Sequence, residues 1–241
     1  MKKLMIAITL CCIAFAVNSQ TKKTSASSKK TSENSRSITT KSKERLVEIT
    51  TNYGTMVVKL YDSTPLHRDN FIKLVKQGFY DSLLFHRVIE GFMIQGGDPT
   101  SKNAKDSIIL GNGEAPGDRI PAEFKPFYFH KKGALAAARD DNPEKASSNC
   151  QFYIVQGKTF TDEELNQVEC QIRSSNPAFS FTDEQRKIYK TIGGTPMLDQ
   201  NYTVFGEVTK GLDVVDKIAS VPRDANDRPL QNVIMKMSLL N

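Results

Sequence analysis

A chain of 241 residues that is 39% hydrophobic, 25% charged and 8% aromatic has an ordinary globular composition, which excludes disorder along its whole length, a collagen-like fibre and a multi-pass membrane protein. The formal charge of +6 would suit a nucleic-acid partner, yet residues 1–44 hold nine bases against two acids, while residues 45–241 hold 24 bases and 25 acids, a net of −1. A groove for a phosphate backbone needs charge clustered on the folded domain itself, so no nucleic-acid partner is expected.

Residues 1–19 read as a secretory signal. Lys2 and Lys3 precede an apolar run from Leu4 to Val17, and small and polar residues follow. That run is shorter than the roughly 20 residues a spanning helix needs. Cleavage after Ser19 or after Ala16 both fit. An uncleaved anchor is the next alternative, and acylation of Cys11 or Cys12 the third, because Leu10 before Cys11 is bulky for lipoprotein processing. Membrane contact is therefore expected only through the signal or an N-terminal lipid, and the protein is expected in the periplasm. Residues 20–44, rich in Lys, Ser and Thr, cannot bury enough surface to offset their ordering entropy and read as a flexible tether. Export also permits disulfides, but Cys150 and Cys170 alone make no framework and are expected to be free thiols.

The domain at 45–241 opens with strand signals. Arg45–Thr50 alternates, Asn52-Tyr53-Gly54 supplies a turn, and Thr55–Tyr61 returns, which predicts a hairpin. Thr64 as N-cap and Pro65 at the first helical position start a helix that Gly78 ends. Short apolar runs at Leu83–Ile89, Phe92–Gln95, Gly133–Ala138, Phe152–Val155, Thr203–Val208 and Val233–Leu239 predict a β barrel or sandwich. Residues 160–196 break the pattern with two capping-box signatures, Thr161–Glu164 and Thr182–Gln185. One apolar stripe there is Leu165, Val168 and Ile172 and another Ile188 and Ile192, so a helical hairpin is inserted into the β scaffold.

His67, His86 and His130 lie far apart with no i,i+4 pair, so no metal site is expected. No nucleophile elbow, Cys/His pair or dinucleotide fingerprint stands out. The chemistry should need neither nucleophile nor cofactor.

The segment Phe85-His86-Arg87-Val88-Ile89-Glu90-Gly91-Phe92-Met93-Ile94-Gln95-Gly96-Gly97-Asp98 closely resembles the signature of the cyclophilin family of peptidyl-prolyl cis-trans isomerases. Gly133–Ala138, Gln151-Phe152-Tyr153-Ile154 and Val204-Phe205-Gly206-Glu207-Val208 match later family motifs in order. The similarity spans about Val47 to Leu239, interrupted by the helical insertion, and looks like an exported bacterial branch. It implies a mainly β fold, an eight-stranded antiparallel closed barrel capped by two helices, with the site on the barrel's outer surface. Arg87 would be the catalytic residue. Phe92, Met93, Tyr153 and Leu198 would line the proline pocket, Gln95 and Gln151 would bind the substrate backbone, and Ala138 and Arg139 would edge the groove. Gln95 would also orient Arg87, and His86 would be a buried, hydrogen-bonded structural residue.

Two pocket positions depart from the family pattern. Met197 stands where better-known members carry tryptophan, and Tyr202 where they carry a pocket-edge histidine. Prolyl contact should survive both changes, but loss of the indole should weaken cyclosporin binding. The partners implied are proline-containing unfolded or extended polypeptides, and a monomer is favoured. The alternative function is a non-catalytic binding module or holdase, with the insertion enlarging the client surface. A further rival is an anchoring protein whose basic tail does the work.

Overall fold

The computed structural model describes residues 45–240; the signal and tether lie outside the described residues. β1 (Arg45–Thr51) and β2 (Gly54–Leu60) form the expected hairpin. Thr51 closes its turn, its hydroxyl accepting from the Tyr53 amide and donating to the Gly54 carbonyl. α1 (Pro65–Lys76) begins at the proline as expected, but the Thr64 hydroxyl does not cap it and lies nearest the Tyr61 carbonyl at 3.4 Å. The cap comes from Glu123, whose carboxylate accepts from the amides of Leu66 (3.2 Å) and His67 (3.0 Å) and pairs with His67 Nδ1 at 2.7 Å. An anion suits that end, where free amides carry the positive pole of the helix.

The remaining strands are β3 (Phe85–Ile89), β4 (Met93–Gly96), β5 (Ala134–Ala137), β6 (Phe152–Val155), β7 (Val204–Lys210) and β8 (Met235–Leu240). They pair antiparallel in the order β3-β4-β6-β5-β7-β2-β1-β8. The expected closed barrel is corrected here: the sheet curls into a half-barrel, and β3 and β8 share no ladder. Their approaches meet through one bridge, Leu84 with Ile234, and through Phe85 donating to Val233 and Met235 to Leu83. Beyond that point β3 turns to another partner, the Val88 amide donating to the Asp227 carbonyl at 2.8 Å, so the seam cannot run on.

Because successive strand residues face opposite ways, the sheet builds two apolar clusters. Phe152 and Ile154 of β6, Leu135 and Ala137 of β5 and Ile94 of β4 point inward, joined by Phe71 and Leu74 of α1 and by α4 (Leu212–Ala219). Phe152 sits edge-on to Phe71, Tyr80 and Phe85. The alternate residues Met93, Ala134, Ala136, Tyr153 and Val155 form the outer cluster with Phe92, Leu198 and Tyr202 at its margin.

The insertion is the predicted helical hairpin, α2 (Asp162–Arg173) and α3 (Asp183–Thr191), and both capping boxes are formed. Leu165 and Ile172 of the first stripe are buried. The second stripe is corrected: α3 buries Gln185 and Tyr189, whereas Ile192 is 55% exposed. Leu165, Ile172, Phe181 and Tyr189 close a third cluster of their own.

Candidate active site

A bulge on β3 decides where Arg87 points. Phe85 pairs with Gly96, but Arg87 pairs with Gln95, so His86 is an extra residue in the ladder. Strict alternation from the inward Phe85 would bury Arg87; the bulge turns it to the outer face beside Gln95, the re-aiming that bulges provide. Phe92 follows in the β3–β4 turn. That turn is pinned because Gln156 Oε1 accepts from Gly91 at 2.6 Å and the Phe92 carbonyl accepts from the amides of Gln156 and Gly157.

The result is a depression of about 130 Å³ lined by Arg87, Phe92, Met93, Gln95, Ala138, Arg139, Tyr153, Leu198 and Tyr202. Nine of the eleven residues expected at the site converge there. Cavities of about 150 Å³ accept a benzene ring, so a pyrrolidine ring fits. Tyr202 closes one wall edge-on to Tyr153. Arg139 stacks its guanidinium 4.7 Å from the Tyr202 ring and donates to the Asn201 carbonyl at 2.9 Å, which ties the end of β5 to the 196–202 segment.

The other two stand elsewhere. Met197 packs with Phe129, Phe160 and Leu165 against the insertion, because the inserted helices offer it an apolar cluster. Gln151 lies buried behind Gln95. Its Nε2 donates to the Gly111 and Gly113 carbonyls at 2.9 and 2.8 Å, and its Oε1 accepts from Gln95 Nε2 at 3.2 Å. Both of its amide ends are thus engaged within the protein, and Gln151 supports Gln95.

Gln95 therefore leans on Gln151 and does not orient Arg87. Asp227 does: its Oδ2 lies 3.5 Å from Arg87 Nε, and its Oδ1 lies 3.2 Å from Arg223 Nε. Asp227 adopts a left-handed φ of 62°, and its carbonyl accepts from Val88, one residue past Arg87. Sequence reasoning missed this residue.

His86 is buried as expected, but neither of its ring nitrogens has a hydrogen-bond partner among the described residues. Burial pulls it down to about 4, with the Asp98 carboxylate opposing and the Arg87 guanidinium adding. His67 and His130 are fully engaged, with Glu123 and Ser147 in one case and Asp199 and Tyr153 in the other. Cys150 is buried, its thiol pushed up to about 11 by desolvation, and both described cysteines are free.

An outward depression the size of one small ring beside the Arg87 guanidinium, on a curled eight-stranded antiparallel sheet, is the arrangement expected of a prolyl-recognising enzyme class. The family profile described as cyclophilin type peptidyl-prolyl cis-trans isomerase/CLD matches residues 46–238. A Staphylococcus haemolyticus protein provisionally named a peptidyl-prolyl cis-trans isomerase is 35% identical over 191 residues, 79% of this chain and 88% of its own. A Staphylococcus aureus protein of the same name is 35% identical over 187 residues, 77% of this chain and 86% of its own. A Cryptosporidium parvum cyclophilin crystal structure shares the fold, with a TM-score of 0.61 at 24% identity over 83% of this chain and 99% of that one. The chain belongs to the cyclophilin-type peptidyl-prolyl cis-trans isomerases.

Proposed function

We propose that this isomerase acts on proline-containing unfolded or extended polypeptides in the periplasm, and that Arg87 supplies the catalytic hydrogen bond. The observation that carries this reading is the Arg87 guanidinium at the edge of an apolar depression of pyrrolidine size. Rotation about an X–Pro bond meets a barrier of about 20 kcal/mol because amide resonance is lost. In the twisted state the proline nitrogen becomes pyramidal and gains a lone pair that the planar amide barely offers. An N–H of Arg87 donates to that lone pair, so the interaction strengthens only as the bond turns, which is the condition for acceleration. Phe92, Met93, Tyr153 and Leu198 hold the ring while the preceding carbonyl swings, and Gln95 faces the substrate backbone. Bond rotation needs no covalent intermediate.

The signal-like leader supports export, the near-neutral domain supports polypeptide over nucleic-acid partners, and a monomer suffices because one chain lines the whole pocket. The test is isomerisation of an X–Pro peptide by the purified protein with Arg87 intact or replaced. Arg87→Ala should lower kcat/KM by about 10²–10³, the effect of removing one donor aimed at developing charge, with the circular dichroism spectrum unchanged. Equal rates would remove Arg87 from the mechanism, and two rates at the uncatalysed level would leave a holdase. Cell fractionation that places the protein in the cytoplasm would overturn the periplasmic assignment.

A further inference from the structure

Outward, the insertion offers a client little. The exposed positions of α2 and α3 are mostly polar, among them Asp162, Glu163, Gln167, Lys187 and Lys190, and the two helices are laced by ion pairs such as Arg186 with Glu169 at 3.2 Å. Inward, it makes a contact of a different kind. Tyr189 of α3, fully buried, donates its hydroxyl to Asp199 Oδ2 at 2.6 Å. Asp199 Oδ1 accepts from the His130 amide at 2.9 Å and pairs with His130 Nδ1 at 2.7 Å. His130 Nε2 lies 3.0 Å from the hydroxyl of Tyr153, in the wall of the proline pocket.

All four side chains are at most 4% exposed. A carboxylate only accepts hydrogen bonds, so Asp199 draws the His130 proton to Nδ1 and leaves Nε2 to accept from the Tyr153 O–H. Each bond direction follows outward from Asp199, and the Tyr153 ring lies nearly parallel to His130, 13° between planes. In a water-excluded site such a chain fixes orientation more firmly than contact alone.

We propose that Tyr189 is a positioning residue for the proline pocket: through Asp199 and His130 it sets the rotation of Tyr153, so the inserted helices brace the wall that grips the ring. This rests on the isomerase function proposed above and gives the insertion an inward role in place of the client surface considered for it.

The test is a double-mutant cycle in the full-length protein with Tyr189→Phe, Tyr153→Phe and both together. Losing one link of the chain should raise KM for the X–Pro peptide about three- to tenfold, the worth of a hydrogen bond, with kcat within about twofold because grip in ground and transition states is lost alike. In the Tyr153→Phe background the same Tyr189 change should do nothing, since no hydroxyl remains to orient. His130→Gln cuts the chain at another link and should show the same dependence on Tyr153. A KM rise of equal size in both backgrounds would mean that Tyr189 acts by packing and would overturn the proposal, as would an unchanged KM on Tyr189→Phe in the protein that keeps its Tyr153 hydroxyl. Melting curves confirm that each rate is read well below unfolding. A wild type without turnover would defeat the isomerase reading alone. The cycle is then read on the Kd of the same peptide, where additivity overturns the proposal and non-additivity supports it.

Discussion

His86, the extra residue of the β3 bulge, should make the protein lose stability in mild acid. Its folded-state value of about 4 lies below the 6.5 of an exposed histidine. Above both values the ring is neutral in either state and contributes nothing. As pH falls below 6.5 the unfolded chain takes up a proton that the native protein refuses, so stability drops until about pH 4, where the native ring also charges. At 1.36 kcal/mol per unit the full loss is about 3 kcal/mol, and about 2 kcal/mol of it falls between about pH 7.5 and pH 5. His86→Gln keeps a polar side chain without the titration. Urea unfolding of both proteins at several pH values isolates the effect, because His67, His130 and the carboxylates are common to both and cancel in the difference. Far-UV circular dichroism serves as the signal, since the chain has no tryptophan. The variant should gain about 2 kcal/mol on the wild type across that interval. Parallel stability curves, or a native His86 that titrates near 6.5 by NMR, would refute the reasoning.

The other expectations concern the site. Asp227→Asn should lower kcat/KM about twofold, because the Arg87 pair is part-exposed and such pairs are worth about 0.2–1 kcal/mol; the deficit should shrink as salt is raised, and a deficit that is salt-independent would rule out an electrostatic role. Gln151→Ala removes the two bonds to the Gly111 and Gly113 carbonyls and the brace on Gln95, so it should cost about 1–3 kcal/mol in urea unfolding and lower kcat/KM as well. Full activity with lowered stability would confine Gln151 to holding the loop. Cyclosporin should inhibit weakly, since Met197 offers no indole donor and packs against the insertion; nanomolar inhibition in the peptide assay would contradict this.

Features written in neighbouring residues were legible in the sequence. The β1–β2 hairpin, the Pro65 start of α1 and both capping boxes depend on contacts a few positions apart, and each formed. The pocket was legible through its motifs, which hold Arg87, Phe92, Met93 and Tyr153, whereas Leu198 lies outside them and followed only from the family resemblance. What escaped was set by distant partners. Glu123 caps α1 from 57 residues beyond Leu66, and Asp227 reaches Arg87 from the far end of the chain, neither with a local signal. The bulge at His86 was hidden because alternation alone buries Arg87. On α3, Ile188 and Ile192 suggested the buried face by hydrophobicity, yet Tyr189 won it because its hydroxyl had Asp199 to meet. The half-barrel seam escaped too, since no strand records which neighbour it lacks.

β6 has one further consequence. Phe152 and Ile154 serve the interior while Tyr153 and Val155 serve the outer wall, so two separate demands share four consecutive positions. Substitution at 153 can redraw the pocket wall while the interior keeps its packing. Loss or gain of a single residue in that strand exchanges the two sets and ruins both at once. The pocket wall is thus open to revision by substitution and closed to revision by change of length, and related chains whose pockets differ in shape should differ at position 153 while keeping the length of the strand.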